Sequence, residues 1–102
     1  MTTRNPPRPA LAAKQFELIA KALADPRRMA LLEAIAAKDE CPCVQLRQQF
    51  PVSKATISHH LKELSRAGLV EARREGQFLN CEIRRETLEA YTAELLRRAG
   101  GR

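Results

Sequence analysis

The chain of 102 residues has no tryptophan, and aromatic residues make up only 4% of it. Its hydrophobic share is 44%, much of it alanine, so the core must be thin. A small domain with a thin core gains by burying surface against a partner, and one domain that dimerises is the expectation. No apolar run approaches the length of a bilayer span, and Met1–Ala10 (MTTRNPPRPA) lacks the apolar centre of a secretory leader. The expected location is the cytoplasm, with no membrane partner, where the three cysteines stay reduced. No nucleophile–base pair and no phosphate-cradling glycine loop stands out, so the chain is not read as an enzyme.

Positive charge is what the chain has in excess. The net charge is +6 and the pI about 9.8, a balance that suits a polyanionic partner because neutralising phosphates releases counterions. An acidic membrane surface would attract the same charge, so composition alone does not choose.

The stretch Val52–Leu69, VSKATISHHLKELSRAGL, is more specific. Ser53 is a natural N-cap. Ile57, Leu61 and Leu64 recur at i, i+4 and i+7 as one apolar stripe, and Gly68 suits the left-handed position that ends a helix. Opposite the stripe lie Ala55, His59, Lys62 and Arg66, with Thr56 and Ser58 on the flanks. Such a face is either a solvated surface or one that reads base edges in a major groove, where short hydrogen-bonding side chains fit.

The surrounding pattern favours the groove. Residues 1–11, with three prolines and two arginines, read as a flexible basic arm. A helix over 12–24 follows, with Phe16, Ile19, Ala20 and Leu23 on one face. Asp25-Pro26 starts a second helix as N-cap and first-turn proline, running to about Ala37 with Met29, Leu32 and either Ile35 or Ala36 inward. Arg27 and Arg28 stand in its first turn against the macrodipole preference, either for phosphate contact or as a solvated pair. Cys41-Pro42-Cys43 opens a short third helix to Phe50, and Pro51 breaks it before the Ser53 helix, giving a helix-turn-helix. Period-two alternation then predicts strands over 69–74 and 77–83 around a Glu75-Gly76 turn, with Leu79, Cys81 and Ile83 sharing a face. A hairpin at this place is a wing, and Arg73, Arg74 and Gln77 near its tip can reach phosphates or a minor groove. The last helix, 84–99, carries Leu88, Tyr91, Thr92 and Leu95, and residues 100–102 form a short tail.

The fold class is thus mainly α with a small β-hairpin, a winged helix-turn-helix in the order ααααββα, its domain spanning 12–99. A small winged-helix core would not use both terminal apolar faces. Phe16, Ile19, Leu23, Leu88, Tyr91 and Leu95 are therefore expected to pair across a two-fold axis as the homodimer interface.

The segments ALADPRRMALLEAI and SKATISHHLKELSRAGLVEARREGQF resemble an ArsR/SmtB-type winged-helix transcriptional repressor, over roughly residues 12–98. The resemblance implies a homodimer held by its terminal helices on an imperfect inverted repeat of double-stranded operator DNA, repressing by promoter occlusion. Carried onto this sequence, it implies that Ser53 and Lys54 hold phosphates, that Thr56, Ser58 and His59 face bases, and that Lys62 meets backbone. His60, beside the apolar stripe, is read as structural. The family's soft-metal sensors carry Cys-x-Cys at the start of the third helix. Counted back from His60 or Leu46, Cys41 and Cys43 sit one residue early, leaving Val44 where the second thiolate belongs, unless Phe50-Pro51 absorbs a residue and restores the alignment. They remain candidate ligands for arsenite, antimonite or another thiophilic ion, with Cys41 expected at a helix N-terminus that would lower its thiol pKa. Redox or reactive-sulfur sensing by the same pair, or purely structural cysteines with Cys81 buried in the core, are the other readings. No cofactor is certain. The last helix lacks the histidine of the family's zinc sites and the N-terminal arm lacks a cysteine, against a zinc, nickel or cadmium sensor. Two rivals stand outside this reading. A small thiol or metal-carrier protein using Cys41-Pro42-Cys43 lacks the redox spacing and βαβ pattern. A protein- or RNA-binding winged helix leaves Thr56, His59 and Lys62 without a groove.

Overall fold

The computed structural model describes residues 11–38 and 41–101. The elements follow in the order α1 (Ala13–Leu23), α2 (Pro26–Ala36), β1 (Cys41–Pro42), α3 (Cys43–Gln49), α4 (Lys54–Arg66), β2 (Val70–Glu75), β3 (Phe78–Ile83) and α5 (Arg85–Ala99). The ten N-terminal residues expected to form a basic arm lie outside the described part. Leu11, placed in that arm by the sequence, packs against the core instead.

Local chemistry sets the helix ends. The Asp25 carboxylate accepts the Arg27 backbone N–H at 2.8 Å and Pro26 takes the first helical position, as the Asp-Pro pair predicts. That N–H, with the charges of Arg27 and Arg28, holds the Asp25 carboxyl below its ordinary value. At the end of α4, Gly68 adopts φ +83°. The Leu69 N–H reaches the Leu64 carbonyl and the Gly68 N–H the Ser65 carbonyl, so two orphan carbonyls are satisfied as the chain turns toward the wing. A Cβ at Gly68 would meet the Gln15 side-chain amide at 2.6 Å, and that amide itself donates to the Ala67 carbonyl, tying α1 to this turn.

The core runs through the middle of the molecule. Ile19 of α1, Leu31, Leu32 and Ile35 of α2, Leu46 of α3, and Ile57 and Leu64 of α4 are buried together with Leu69, Val70 and the three cysteines. Two expectations change here. Met29 is exposed, and Leu31 fills the place assigned to it, because α2 turns its other apolar edge inward. Ile19, expected at a dimer interface, has no accessible surface in the single chain: it is spent on the protomer's own core.

The sheet also differs from a bare hairpin. It has three strands in the order β1-β3-β2, both pairings antiparallel. Cys41 and Pro42 are thus a short strand opposite Cys81 and Asn80, not the first turn of a helix, and α3 begins only at Cys43. The edge of β3 offers unpaired backbone groups, and pairing them outweighs extending α3 by two residues. In the wing, Glu75 pairs with Phe78, so Gly76-Gln77 is the two-residue turn, one position later than the alternation suggests. Gly76 takes φ +63° and Gln77 does not have a positive φ, as a type II′ hairpin requires.

Candidate nucleic-acid interface

The base of the site is the seating of α4. Ser53 Oγ accepts the Thr56 N–H at 3.1 Å and lies 2.9 Å from the Thr56 hydroxyl, which fixes the first turn. Ile57, His60 and Leu64 point inward. Lys54, Ser58, His59 and Lys62 are consequently exposed, with Thr56 half-buried on the flank. This is the division of faces the sequence predicts. No acidic side chain stands in the first turn, so nothing there opposes a phosphate.

His60 locks α4 onto the preceding elements. Arg28 donates from Nη1 to His60 Nδ1 at 3.4 Å and from Nε to the Ala22 carbonyl at 2.9 Å, while Asp25 lies 3.9 Å from the same guanidinium. Arg28, one of two arginines left open between phosphate contact and solvation, is therefore a structural tie, and Arg27 is the outward one. Since arginine only donates, His60 Nδ1 must accept, which makes the ring neutral with its proton on the buried Nε2. Burial lowers the His60 pKa, opposed by Asp25 and assisted by Arg28, Arg27 and His59.

A pH dependence follows. A histidine whose folded pKa is depressed takes up its proton more readily unfolded. Its contribution to stability is complete above the unfolded value of 6.5 and is lost as pH falls from there through the folded value. The melting temperature of the wild type is expected to drop between pH 7 and pH 5, and that of His60→Gln to drop less. Parallel curves would show that His60 does not titrate in this way.

The wing stands beside α4. Arg73, Arg74 and Gln77 are all exposed. They are not equivalent, because Arg73 is ion-paired with Glu82 across the hairpin, whereas Arg74 has no described ion pair. Between α4, α3 and the wing runs a cleft of about 290 Å³, floored by Cys43, Ile57 and Cys81 and rimmed by Arg47, Ser58 and Lys62. Arg47 also lies with Arg74 and Gln77 around a second hollow at the wing tip. Sequence reasoning passed over Arg47; its spacing of i+4 from the buried Cys43 is the signal that puts it near this edge.

The cysteines are arranged otherwise than expected. Cys43 Sγ lies 3.1 Å from Cys81 Sγ, and both are free thiols. Cys41 sits in β1 with no accessible surface, and burial raises its thiol pKa, the reverse of what a helix N-terminus would do. The hydrogen bond between Cys43 and Cys81 lowers the pKa of the first and raises that of the second, as one shared proton requires. Among the described residues no group of three or more His, Cys, Asp or Glu side chains is placed to hold a metal ion.

The terminal helices meet within one chain. The Phe16 and Tyr91 rings lie 5.0 Å apart, and the Arg98 guanidinium stands 4.0 Å from the centre of the Phe16 ring. Leu23, Leu88 and Tyr91 are half-buried against the core. Leu95 remains exposed, and so does Leu96, which lies outside the stripe expected from the sequence. No helix among the described residues is long and apolar enough to cross a membrane.

Comparison with known proteins decides what this geometry belongs to. A helix-turn-helix domain family matches residues 23–73. The arsenical resistance operon repressor of Staphylococcus xylosus is 32% identical over 85 residues, 83% of this chain and 81% of that protein. The chain belongs to the ArsR family. An ArsR-like transcriptional regulator from Rhodococcus sp. RHA1 superposes with a TM-score of 0.74 at 28% identity, over 85% of this chain and 80% of its own. A homodimeric winged helix-turn-helix DNA-binding domain from Mycobacterium bovis gives 0.69 at 28% identity, over 81% and 77%. As an ArsR-family member the protein is a DNA-binding transcriptional regulator, and α3 and α4 with the β2–β3 wing are its winged helix-turn-helix.

Proposed function

We propose that the protein is a cytoplasmic, homodimeric repressor that occupies an imperfect inverted repeat, with one α4 in each of two successive major grooves. The observation that carries this reading is the outward face of α4, where Lys54, Ser58, His59 and Lys62 are exposed beside the wing while Ile57, His60 and Leu64 fasten the helix from behind. Ser53 and Lys54 contact phosphates, Thr56, Ser58 and His59 address base edges, and Lys62, Arg74 and Gln77 bind backbone on either side. Arg73 contributes less than Arg74, since Glu82 already neutralises it.

The dimer forms through α5, which buries none of its own residues in the single chain and leaves Leu95 and Leu96 uncovered. Phe16 and Tyr91 flank that surface. The Staphylococcus relative is named for arsenical resistance, which suggests arsenite or antimonite as a signal. The donor set argues for simpler thiol chemistry: the Cys43 sulfur is engaged by Cys81, not by Cys41, and no three described donors converge.

The test is fluorescence anisotropy on the duplex upstream of the protein's own gene, across a salt series. Arg74→Ala is expected to weaken binding to all sequences and to flatten the log–log salt slope by about 0.9 for each phosphate that the wing no longer neutralises. Arg73→Ala should change the slope less. A slope unaltered by Arg74→Ala would take the wing off the DNA-binding surface.

A further inference from the structure

The sequence directs attention to Cys41 and Cys43, two residues apart. The fold instead joins two cysteines 38 residues apart, one at the start of α3 and one on the central strand of the wing sheet. We infer that Cys43 and Cys81 are a hydroperoxide-reactive dithiol that closes to an intramolecular disulfide and, on the repressor reading above, loosens the grip on DNA.

Geometry carries the inference. The two sulfurs are 3.1 Å apart, so about 1 Å of approach brings them to disulfide bonding distance. Both side chains are nearly closed off from solvent, at 5% and 1% exposure, but both form the floor of the cleft between α4 and the wing. That cleft, of about 290 Å³, has room for a small peroxide beside both sulfurs. Arg47 on its rim favours a negative charge on Cys43, and a thiolate there can only accept the Cys81 S–H, 3.1 Å away. Cys43 is therefore the nucleophile and Cys81 the resolving partner. Cys41 faces Cys81 in the strand register but does not line the cleft.

The chemistry balances with hydrogen peroxide as oxidant. The Cys43 thiolate attacks one peroxide oxygen, the O–O bond breaks, and the departing hydroxide takes a proton to become water, leaving a sulfenic acid. Cys81 Sγ then attacks the Cys43 sulfur. The S–O bond breaks, an S–S bond forms, and the hydroxide leaves as water with the Cys81 proton. Two thiols are oxidised and one peroxide is reduced to two waters.

The consequence follows from where the bond lies. It joins α3, on which α4 rests, to the strand that carries the wing, across a cleft bounded on one side by Leu61 of α4. Drawing its floor together narrows the cleft and shifts the wing tip relative to α4, the two surfaces that must meet one duplex together.

The experiment treats the reduced full-length protein with hydrogen peroxide, maps disulfides by peptide mass spectrometry, and measures anisotropy on the upstream duplex in parallel. A Cys43–Cys81 cross-link with loss of two hydrogens per chain is expected, together with at least about tenfold weaker binding that dithiothreitol restores. Cys41→Ser should behave as wild type, and Cys81→Ala should keep its affinity under peroxide. A cross-link through Cys41, an intermolecular cross-link, no cross-link, or a Cys43–Cys81 cross-link that leaves affinity unchanged would each overturn the inference. Mapping on the wild type needs no variant to fold. Failure of the reduced protein to bind any duplex would instead strike the repressor reading, which the cross-link map does not depend on.

Discussion

Leu95→Glu combined with Leu96→Glu is expected to turn the dimer into monomers and to weaken operator binding by about 100-fold or more, because each half-site must then be bound without its tethered neighbour. The two leucines are 42% and 67% exposed, and they adjoin Thr92, Ala99 and Gly100 in a shallow apolar hollow on α5. Neither belongs to the set of side chains that packs against the core, whereas Leu88 and Tyr91 do. The carboxylates should therefore spare the protomer's fold and act on the interface between copies, where two pairs of like charges would face each other without water. Sedimentation velocity reads the first effect and anisotropy the second. A persistent dimer would place the interface elsewhere, and monomers that bind as tightly as wild type would separate dimerisation from recognition.

Leu64→Ala is expected to cost about 2–5 kcal/mol of stability, the range for truncating a fully enclosed leucine where the surroundings relax only in part. Leu64 has no accessible surface, and its carbonyl accepts the Leu69 N–H that turns the chain out of α4. It joins the inner face of the recognition helix to the entrance of the wing. For a domain of this size, such a loss is a large fraction of the total stability. Urea unfolding should show the midpoint falling with an unchanged slope. A change below about 1 kcal/mol would mean that α4 is less firmly seated than its burial implies.

The parts of this architecture that were legible in the sequence are those written in local chemistry. Asp25-Pro26, Ser53 and Gly68 mark helix ends because capping needs only residues within a few positions of the terminus. The outward face of α4 was readable for a similar reason: Ile57, Leu61 and Leu64 fix its rotation. What escaped is what depends on distant partners. Cys41-Pro42 has the look of a helix start, since proline is favoured in a first turn, and becomes a strand only because β3 runs alongside it. Arg28 resembles a free cation until Ala22, Asp25 and His60 surround it. Ile19 fits an interface stripe by periodicity, but periodicity cannot say whether a stripe is covered by the same chain or by a second copy. The approach of Cys43 to Cys81 has no local signature at all, because the two lie 38 residues apart and meet only when β3 packs beside the start of α3.

On the proposed reading, α4 of each protomer reads one half of a two-fold DNA site. Selection of bound duplexes from a random library, using the reduced full-length protein, tests it most directly. The expected result is enrichment of an imperfect inverted repeat with half-site centres about 10–10.5 base pairs apart or a multiple of that spacing, and blurring of the half-site consensus by His59→Ala. Enrichment of no sequence, of a single unrepeated site, or of the same consensus by the His59→Ala protein would contradict it.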